Sequence, residues 1–348
     1  MTHPPSASAS NERVFSEALA RNAESLELVE RAMREQLSSE SGLVGLLGEH
    51  LLKSGGKRIR PALLLLAAQL CGYTGSRRVQ IGAALELLHT ATLLHDDVVD
   101  FSQLRRGRPS ANALWGNRRA ILAGDFFYAR ASAMIVEDGD LDILWVFANT
   151  IRSMAEGELL QLERSYDPSV TESHYFHVIE RKSAVLLSAA TENGAILGGV
   201  TRAERRRLAD FGRELGLAFQ LRDDALDYEA GEKALGKPPY TDIREGKVTL
   251  PLLLALKRCT STERDAIGSV IKSAARVLEF GADAASSSAA LDLSPALEAI
   301  ERYHGLEDTL RRAQEHVARA EAAIAPFPDG EAKADLVAAA QFAATRDR

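Results

Sequence analysis

The chain has 348 residues, of which 46% are apolar, so it is long enough to bury a sizeable core in one large domain or two. Its 42 basic and 49 acidic side chains give a formal charge of −7, which argues against a general nucleic-acid-binding protein with a basic surface. Two cysteines are too few for a disulfide framework, and no stretch reaches the roughly 18 apolar residues of a membrane span, so we expect a cytoplasmic protein without stable membrane insertion.

The N-terminal segment, residues 1–12, is rich in Ser, Ala and Pro, and we expect a disordered tail there. From residue 13 onward helical patterns dominate, because Ala, Leu, Glu and Arg are abundant and alternating β-branched runs are few. We therefore predict a single large all-α domain over 13–348. The predicted helices cover 18–37, 41–52, 61–70, 79–100, 118–137, 141–164, 173–198, 203–229, 249–258, 261–277, 294–303, 306–325 and 330–344.

The predicted helix over 79–100 carries little charge before its acidic end. A helix that is apolar almost all round is buried, so we place this one at the centre of the domain. It ends in the first of two aspartate clusters, Asp-Asp-Val-Val-Asp at 96–100. The helix over 203–229 ends in the second, Asp-Asp-Ala-Leu-Asp at 223–227.

In each cluster the first and last aspartates are four residues apart, so both carboxylates project from one helix face. Like charges packed this way cost stability unless a cation lies between them, and Mg²⁺ prefers such hard oxygen ligands. Two such faces across one cavity would hold Mg²⁺ ions and clamp a diphosphate. The candidate catalytic carboxylates are Asp96, Asp97, Asp100, Asp223, Asp224 and Asp227.

Basic residues accompany both clusters. Lys57 and Arg60 follow two glycines at the start of a helix, where backbone amides and the helix N-terminus favour an anion. His89 lies seven residues before the first cluster, on the same stripe of its helix. Arg105 and Arg106 follow that cluster, and arginine forks match phosphate oxygens. Further polar candidates, in or near the second half of the chain, are Lys182, Ser183, Gln220, Lys237 and Lys247.

Together these motifs resemble the trans-isoprenyl diphosphate synthase family, and most of all its long-chain bacterial members such as octaprenyl diphosphate synthase. The order and separations of the motifs match as well, over about residues 40–345. The segments that carry the resemblance are Gly-Gly-Lys-Arg-Ile-Arg-Pro at 55–61, Leu-Leu-His-Asp-Asp-Val-Val-Asp at 93–100, Arg-Arg-Gly at 105–107, Gly-Asp-Phe at 124–126, Phe-Gln-Leu-Arg-Asp-Asp-Ala-Leu-Asp-Tyr at 219–228 and Asp-Ile-Arg-Glu-Gly-Lys-Val-Thr-Leu-Pro at 242–251.

The resemblance implies the isoprenoid synthase fold, with helices around a central cavity, and an enzyme that joins isopentenyl diphosphate to an allylic diphosphate. It implies three Mg²⁺ ions, with Mn²⁺ as the alternative, held by Asp96, Asp100 and Asp223, and a homodimeric assembly. It implies that isopentenyl diphosphate binds to Lys57, Arg60, His89 and Arg106. It implies that the allylic diphosphate binds to Arg105, Lys182, Ser183, Gln220, Lys237 and Lys247.

Product length is the next expectation from the resemblance. Short-chain relatives carry an aromatic plug at one or both of the positions held here by Ala91 and Thr92, about 6 Å below the first cluster. Because both residues are small, the family pattern favours a tunnel that continues past Leu88, with Met134 on the opposite wall. The implied product is a long all-trans polyprenyl diphosphate, which would serve as a quinone side chain.

Four alternatives stay open at this point. The chain could be a short- or medium-chain synthase that makes farnesyl or geranylgeranyl diphosphate, or a non-catalytic subunit of a heteromeric synthase. A class I terpene cyclase resembles it less well, since its second metal motif is an Asn/Ser/Glu pattern. A helical scaffold without a site would leave so many charged residues near one cavity unexplained.

Overall fold

The computed structural model describes residues 7–53, 56–229, 240–279 and 291–347. Within these ranges the helices are joined by turns and loops and by one short antiparallel hairpin, and the predicted all-α fold is confirmed. The elements are α1 (Ala7–Arg21), α2 (Ala23–Glu35), α3 (Gly42–Lys53), α4 (Ile59–Leu70), α5 (Arg77–Val99), β1 (Leu104–Arg105), β2 (Arg108–Pro109), α6 (Ala111–Trp115), α7 (Asn117–Asp138), α8 (Leu141–Glu163), α9 (Glu172–Ile179), a π-helical turn (Glu180–Ala184), α10 (Val185–Leu197), α11 (Arg202–Glu229), α12 (Thr241–Arg244), α13 (Leu250–Arg258), α14 (Ser261–Glu279), α15 (Ser294–Arg302), α16 (Gly305–Ile324) and α17 (Glu331–Thr345).

The N-terminal segment differs from the sequence-based expectation. Helix α1 begins at Ala7, so residues 7–12, expected to be disordered, are helical. The cause is a contact with the other end of the chain. Phe15 stacks on Phe342 of α17 with ring centroids 4.9 Å apart, and the Asn11 amide donates a hydrogen bond of 3.2 Å to Thr345 Oγ1. Composition alone cannot reveal a partner that lies more than 300 residues away.

The core is built around α5 and α11, the two helices that carry the aspartate clusters. Helix α5 is buried on nearly every side and packs against α2, α4 and α7. Helix α11 packs against α16 and α17, and α10 lies against both α5 and α11. Each leucine buried in this way contributes about 1.5–3 kcal/mol to folding. Among the described helices, none combines the length and the apolar character needed to cross a bilayer.

Candidate active site

The three aspartates of the first cluster have different surroundings. Asp96 is half-buried, and burial raises its pKa to about 6, against the opposing effect of Lys182. Asp97 is fully buried and accepts a hydrogen bond of 2.8 Å from Arg105 Nε. Asp100, at the end of α5, accepts one of 3.2 Å from Lys247 Nζ. Asp96 and Asp100 therefore face cations from distant elements, whereas Asp97 holds a neighbouring loop.

That loop is the hairpin formed by β1 and β2. Its two turn residues, Arg106 and Gly107, have φ angles of 52° and 73°, as a tight two-residue hairpin turn requires. The turn directs Arg105 back onto Asp97 and sets the Arg106 guanidinium against Gly56. A Cβ atom at position 56 would lie 2.9 Å from Arg106 Nη1, so a side chain there would displace the Arg106 guanidinium.

A basic cluster lies beside the hairpin, formed by Arg60, His89 and Arg106. Burial lowers the pKa of Arg60, and burial and then Arg105 lower that of Arg106. Burial and then Arg60 and Arg106 lower the pKa of His89 well below its usual value. Arg60 Nε has no hydrogen-bond partner within the described part of the chain. Two neighbouring arginines that repel each other, one of them with an unused buried donor, favour a bound anion.

Lys57 was expected to join this cluster, but it has other partners in this structure. Its Nζ lies 2.8 Å from Glu12 Oε1 and 4.2 Å from the centre of the Phe342 ring. Both partners belong to the terminal helices α1 and α17. The structure thus brings together three of the four residues predicted for the isopentenyl diphosphate site and directs the fourth to the chain ends.

In the second cluster, Asp223 bonds to the guanidinium of Arg346 from the C-terminal segment. The Arg346 side chain is buried, its guanidinium lies 3.8 Å above the Phe219 ring, and its backbone oxygen accepts a hydrogen bond of 2.8 Å from Arg222 Nε. Burial and then Arg222 lower the pKa of Arg346 to about 9. Asp223 is therefore already paired with a basic side chain, as Asp100 is.

The other two aspartates of this cluster are buried and serve neighbouring elements. Asp224 accepts a hydrogen bond of 2.8 Å from Gln220 Nε2 and another from the Tyr175 hydroxyl, and burial raises its pKa to about 6. Asp227 accepts bonds of 3.2 and 3.0 Å from the backbone amides of Thr241 and Asp242. Because those amides belong to the first two residues of α12, Asp227 attaches α12 and the loop after it to α11.

That loop joins the two clusters. Lys247 lies 3.2 Å from Asp100 Oδ2 and 2.7 Å from Glu245 Oε2. Burial alone would lower the pKa of Lys247, but the carboxylates of Asp100 and Glu245 raise it above its usual value. The same lysine lines a cavity of about 230 Å³ together with Lys182 and Asp224. Lys247 therefore links Asp100 of the first cluster to a cavity that Asp224 of the second cluster lines.

The π-helical turn between α9 and α10 brings Lys182 and Ser183 to this cavity. Lys182 Nζ lies 2.5 Å from Glu158 Oε1 on α8, and Ser183 Oγ donates a hydrogen bond of 2.7 Å to Gln220 Oε1. Single π-helical turns inside helices are frequent at functional sites. The turn packs against Gly157, where a Cβ atom would lie 2.8 Å from the backbone nitrogen of Lys182.

We expect Gly157→Ala to weaken function through this contact. Alanine favours an isolated helix by about 1 kcal/mol over glycine, but the new methyl would push the π-helical turn away, and overpacking costs about 1–3 kcal/mol. Catalytic efficiency should fall about tenfold or more, as steady-state kinetics would measure. Gly45→Ala on α3 is the matched control, because nothing lies within 4 Å of that position. Unchanged kinetics in Gly157→Ala would show that the turn tolerates displacement.

A metal ion held by the protein needs several ligand side chains close together. Among the described residues, no group of three or more His, Cys, Asp or Glu side chains lies close enough to hold one. The donor chemistry nevertheless fits Mg²⁺, since Asp96, Asp100 and Asp223 carry the hard carboxylate oxygens that this ion prefers. Asp100 is paired with Lys247, and Asp223 is paired with Arg346. A divalent ion bound to either carboxylate would therefore have to displace a side-chain cation.

Several residues of the site were not identified from the sequence. Glu158 and Glu245 hold the lysines, Tyr175 bonds to Asp224, and Arg346 bonds to Asp223. The Gly-Glu pair at 157–158 of α8 is the one signal that could have been found. Lys237, predicted to bind the allylic diphosphate, lies outside the described residues. The residues predicted to set product length are buried or half-buried: Leu88, Ala91, Thr92 and Met134.

Comparisons with known proteins agree with this geometry. Residues 43–280 match the sequence model of the family described as polyprenyl synthetase. The chain is 43% identical over 321 residues to the octaprenyl diphosphate synthase of Escherichia coli (strain K12), which covers 92% of this chain and 95% of that protein. A polyprenyl synthase from Caulobacter crescentus CB15, solved in complex with calcium and isoprenyl diphosphate, has a TM-score of 0.88 at 39% identity over 96% of this chain and 98% of the other.

A decaprenyl diphosphate synthase from Rhodobacter capsulatus is similar as well, with a TM-score of 0.87 at 37% identity over 96% of this chain and 99% of the other. These similarities span nearly the full chain, and the family match over residues 43–280 includes both aspartate clusters. The resemblance inferred from the motifs is confirmed: this chain belongs to the polyprenyl synthetase family and is a prenyltransferase.

Proposed function

We propose that this protein is an Mg²⁺-dependent trans-prenyltransferase that joins isopentenyl diphosphate to an allylic diphosphate and makes a long-chain all-trans polyprenyl diphosphate. The observation that carries the proposal is the contact of 3.2 Å between Lys247 and Asp100, because it joins the first cluster to the cavity beside the second. The Caulobacter relative, solved with calcium and isoprenyl diphosphate, supports a divalent cation and a prenyl diphosphate as ligands.

Asp96, Asp100 and Asp223 would hold the Mg²⁺ ions, three in number, with Mn²⁺ as the alternative. Bound there, the metal would neutralise the charge that develops on the departing diphosphate. Lys182 and Lys247 line the same cavity, and their ammonium groups can each contact a phosphate oxygen. Arg105 is held by Asp97 at 2.7 Å, so it would act from a fixed position beside the cluster.

The basic cluster beside the hairpin suits the second substrate. Arg60, His89 and Arg106 offer donors to a diphosphate, and Lys57 would contribute only after leaving Glu12. An allylic carbon–oxygen bond would break, and its electron pair would leave with the diphosphate. The isopentenyl double bond would attack the resulting carbocation, and a proton would pass to the released diphosphate. This order of events needs charge neutralisation and exclusion of water rather than a nucleophilic side chain.

The long-chain product and its use as a quinone side chain belong to the same proposal. The small residues Ala91 and Thr92 and the similarity to octaprenyl and decaprenyl diphosphate synthases support them. A cytoplasmic location is a further prediction, with which the two free cysteines, Cys71 and Cys259, are consistent.

Incubation with farnesyl diphosphate and labelled isopentenyl diphosphate, followed by chromatography of the dephosphorylated products, tests the proposal. We expect long-chain alcohols, formed only when Mg²⁺ is present. Products only one or two isoprene units longer than the farnesyl primer would favour a short- or medium-chain synthase. No product from the chain alone would favour a partner subunit. Turnover of the allylic diphosphate without isopentenyl diphosphate would favour a cyclase.

We further propose a homodimer, formed through α7 and α8. Both helices expose large apolar side chains, which monomeric proteins rarely present together. Trp145 is 69% exposed and Leu141 is 79% exposed. The other exposed apolar residues on these two helices are Ile121, Leu122, Tyr128, Val136, Leu159 and Leu162.

Trp145→Arg should weaken this dimer. An arginine in an apolar interface loses the buried indole and adds an unpaired charge, so the dissociation constant should rise about 30-fold or more. Sedimentation velocity over a range of concentrations would measure it. Leu28→Arg on α2 removes an exposed leucine elsewhere and should leave the dimer intact. A wild-type protein that is monomeric at all concentrations would contradict the proposal.

A further inference from the structure

Tyr175 contacts the second aspartate cluster although no motif includes it. It lies on α9, is almost fully buried, and donates its hydroxyl hydrogen to Asp224 Oδ2 on α11, 49 residues further along the chain. The edge of its ring packs against Phe176, with centroids 5.3 Å apart. A buried tyrosine fixed on both its ring and its hydroxyl holds its hydrogen-bond acceptor in one orientation.

Asp224 in turn fixes the orientation of the Gln220 side chain. Its Oδ2 accepts from Tyr175, and its Oδ1 accepts from Gln220 Nε2 at 2.8 Å. A carboxylate only accepts hydrogen bonds, so the Gln220 side chain must present its NH₂ group to Asp224. The carbonyl oxygen of Gln220 then points the other way, and Ser183 Oγ donates to it at 2.7 Å.

The order of donors and acceptors is therefore fixed from Tyr175 through Asp224 and Gln220 to Ser183. At its end, the Ser183 hydroxyl hydrogen is committed to Gln220, so its lone pairs are the part available to a ligand. Lys182, Ser183, Gln220 and Asp224 all line the same cavity. Asp224 differs in this from Asp100 and Asp223, which hold basic side chains rather than neutral donors.

We infer that Tyr175 is a positioning residue for the allylic substrate, acting through Asp224 to fix the amide of Gln220 and the hydroxyl of Ser183. The inference rests on the proposed function, because it takes the cavity beside the second cluster as the allylic site. In a Tyr175→Phe protein, Asp224 Oδ2 loses a charge-assisted hydrogen bond inside the protein, and the carboxylate and the Gln220 amide can rotate.

The test is Tyr175→Phe with steady-state kinetics for each substrate in turn. The value of kcat/KM for the allylic diphosphate should fall about 10- to 100-fold, the usual effect of losing a hydrogen bond to a charged group. The KM for isopentenyl diphosphate should stay within about twofold, since the Tyr175 hydroxyl bonds to Asp224 and not to Arg60, His89 or Arg106. A purely structural role would change both substrates together.

Tyr303→Phe is the matched control. The Tyr303 hydroxyl also donates to a carboxylate, Glu263 Oε2 on α14, at 2.8 Å, and neither residue lines the cavity. We expect unchanged kinetics there. Equal losses for both substrates in Tyr175→Phe, or a loss of the same size in Tyr303→Phe, would overturn the inference.

A second comparison isolates the route through Gln220. In a Gln220→Ala background the relay is already broken, so adding Tyr175→Phe should lower kcat/KM by less than about threefold more. The same 10- to 100-fold loss in both backgrounds would overturn the relay. A wild-type chain without prenyltransferase activity would instead contradict the proposed function, so the two failures are distinguishable.

Discussion

Replacing Asp96 with alanine is expected to lower turnover by roughly three orders of magnitude while the protein stays folded. Asp96 is half-buried beside Lys182, and burial raises its pKa to about 6, with further increases from Glu158 and Asp100. A carboxylate in such surroundings repels its neighbours and contributes little to stability. Its position is explained if a cation or a phosphate-bound metal uses it. Removing it should therefore cost activity and leave the thermal unfolding temperature unchanged or slightly higher.

Turnover with farnesyl and isopentenyl diphosphates, measured over a range of Mg²⁺ concentrations, tests this expectation. Asp210→Ala is the matched control, because Asp210 lies on the surface of α11 and its nearest ion-pair contact is with Arg213 at 3.6 Å. Asp97→Ala should behave differently from both, since it removes the buried partner of Arg105 and should destabilise the hairpin. Normal turnover of Asp96→Ala, with Asp100 and the second cluster intact, would rule out the proposed diphosphate clamp.

Several long helices could be predicted closely because their apolar residues repeat with the helical period, whereas the helix predicted over 18–37 is two helices, α1 and α2, that meet at Asn22. Helix α5 was expected over 79–100 and runs from Arg77 to Val99, and α8 was expected over 141–164 and runs from Leu141 to Glu163. The predicted helix over 173–198 instead contains a π-helical turn, packed between Gly157 on α8 and Gly216 on α11. Such a turn depends on close backbone contacts with other helices, which a one-dimensional pattern does not contain.

The site could be predicted where side chains repeat a chemical pattern along a helix, as the aspartates do. Their individual roles could not, because each role depends on a partner from a distant element. Asp97 and Asp227 hold local structure, and Asp223 pairs with Arg346, the third residue from the C-terminus. Neither spacing nor charge distinguishes these aspartates from one another. Resemblance to a family adds expected roles, but it does not reveal which cation holds each carboxylate in this chain.

Replacing Ala91 with phenylalanine is expected to shorten the product markedly. Ala91 is 2% exposed and lies on α5, which packs against α7. Two explanations of its small size make different predictions for the mutant. If Ala91 lies at a close helix contact, a phenyl ring would overpack the core and cost about 1–3 kcal/mol or more. If it lines a tunnel for the growing chain, the ring enters that space, stability changes little, and elongation ends earlier.

Product chromatography and thermal unfolding of the same preparation therefore have to be measured together. Ala322→Phe, at an exposed position on α16, is the control for adding a phenyl ring, and its products should match those of the wild type. Thr92→Phe, on the neighbouring position, should shorten the product in the same way. Unchanged product length in both Ala91→Phe and Thr92→Phe would refute the tunnel.

Leu88→Phe makes the test quantitative. Leu88 is buried, and it lies about one helical turn, roughly 5 Å, further from Asp96 than Ala91 does. A ring at that depth should stop elongation later, so the products should lengthen from Ala91→Phe to Leu88→Phe to the wild type. Loss of stability cannot produce this order, because a destabilised enzyme makes less product of every length. If product length follows this order and does not follow the unfolding temperatures of the variants, the space beside α5 limits the length of the prenyl chain.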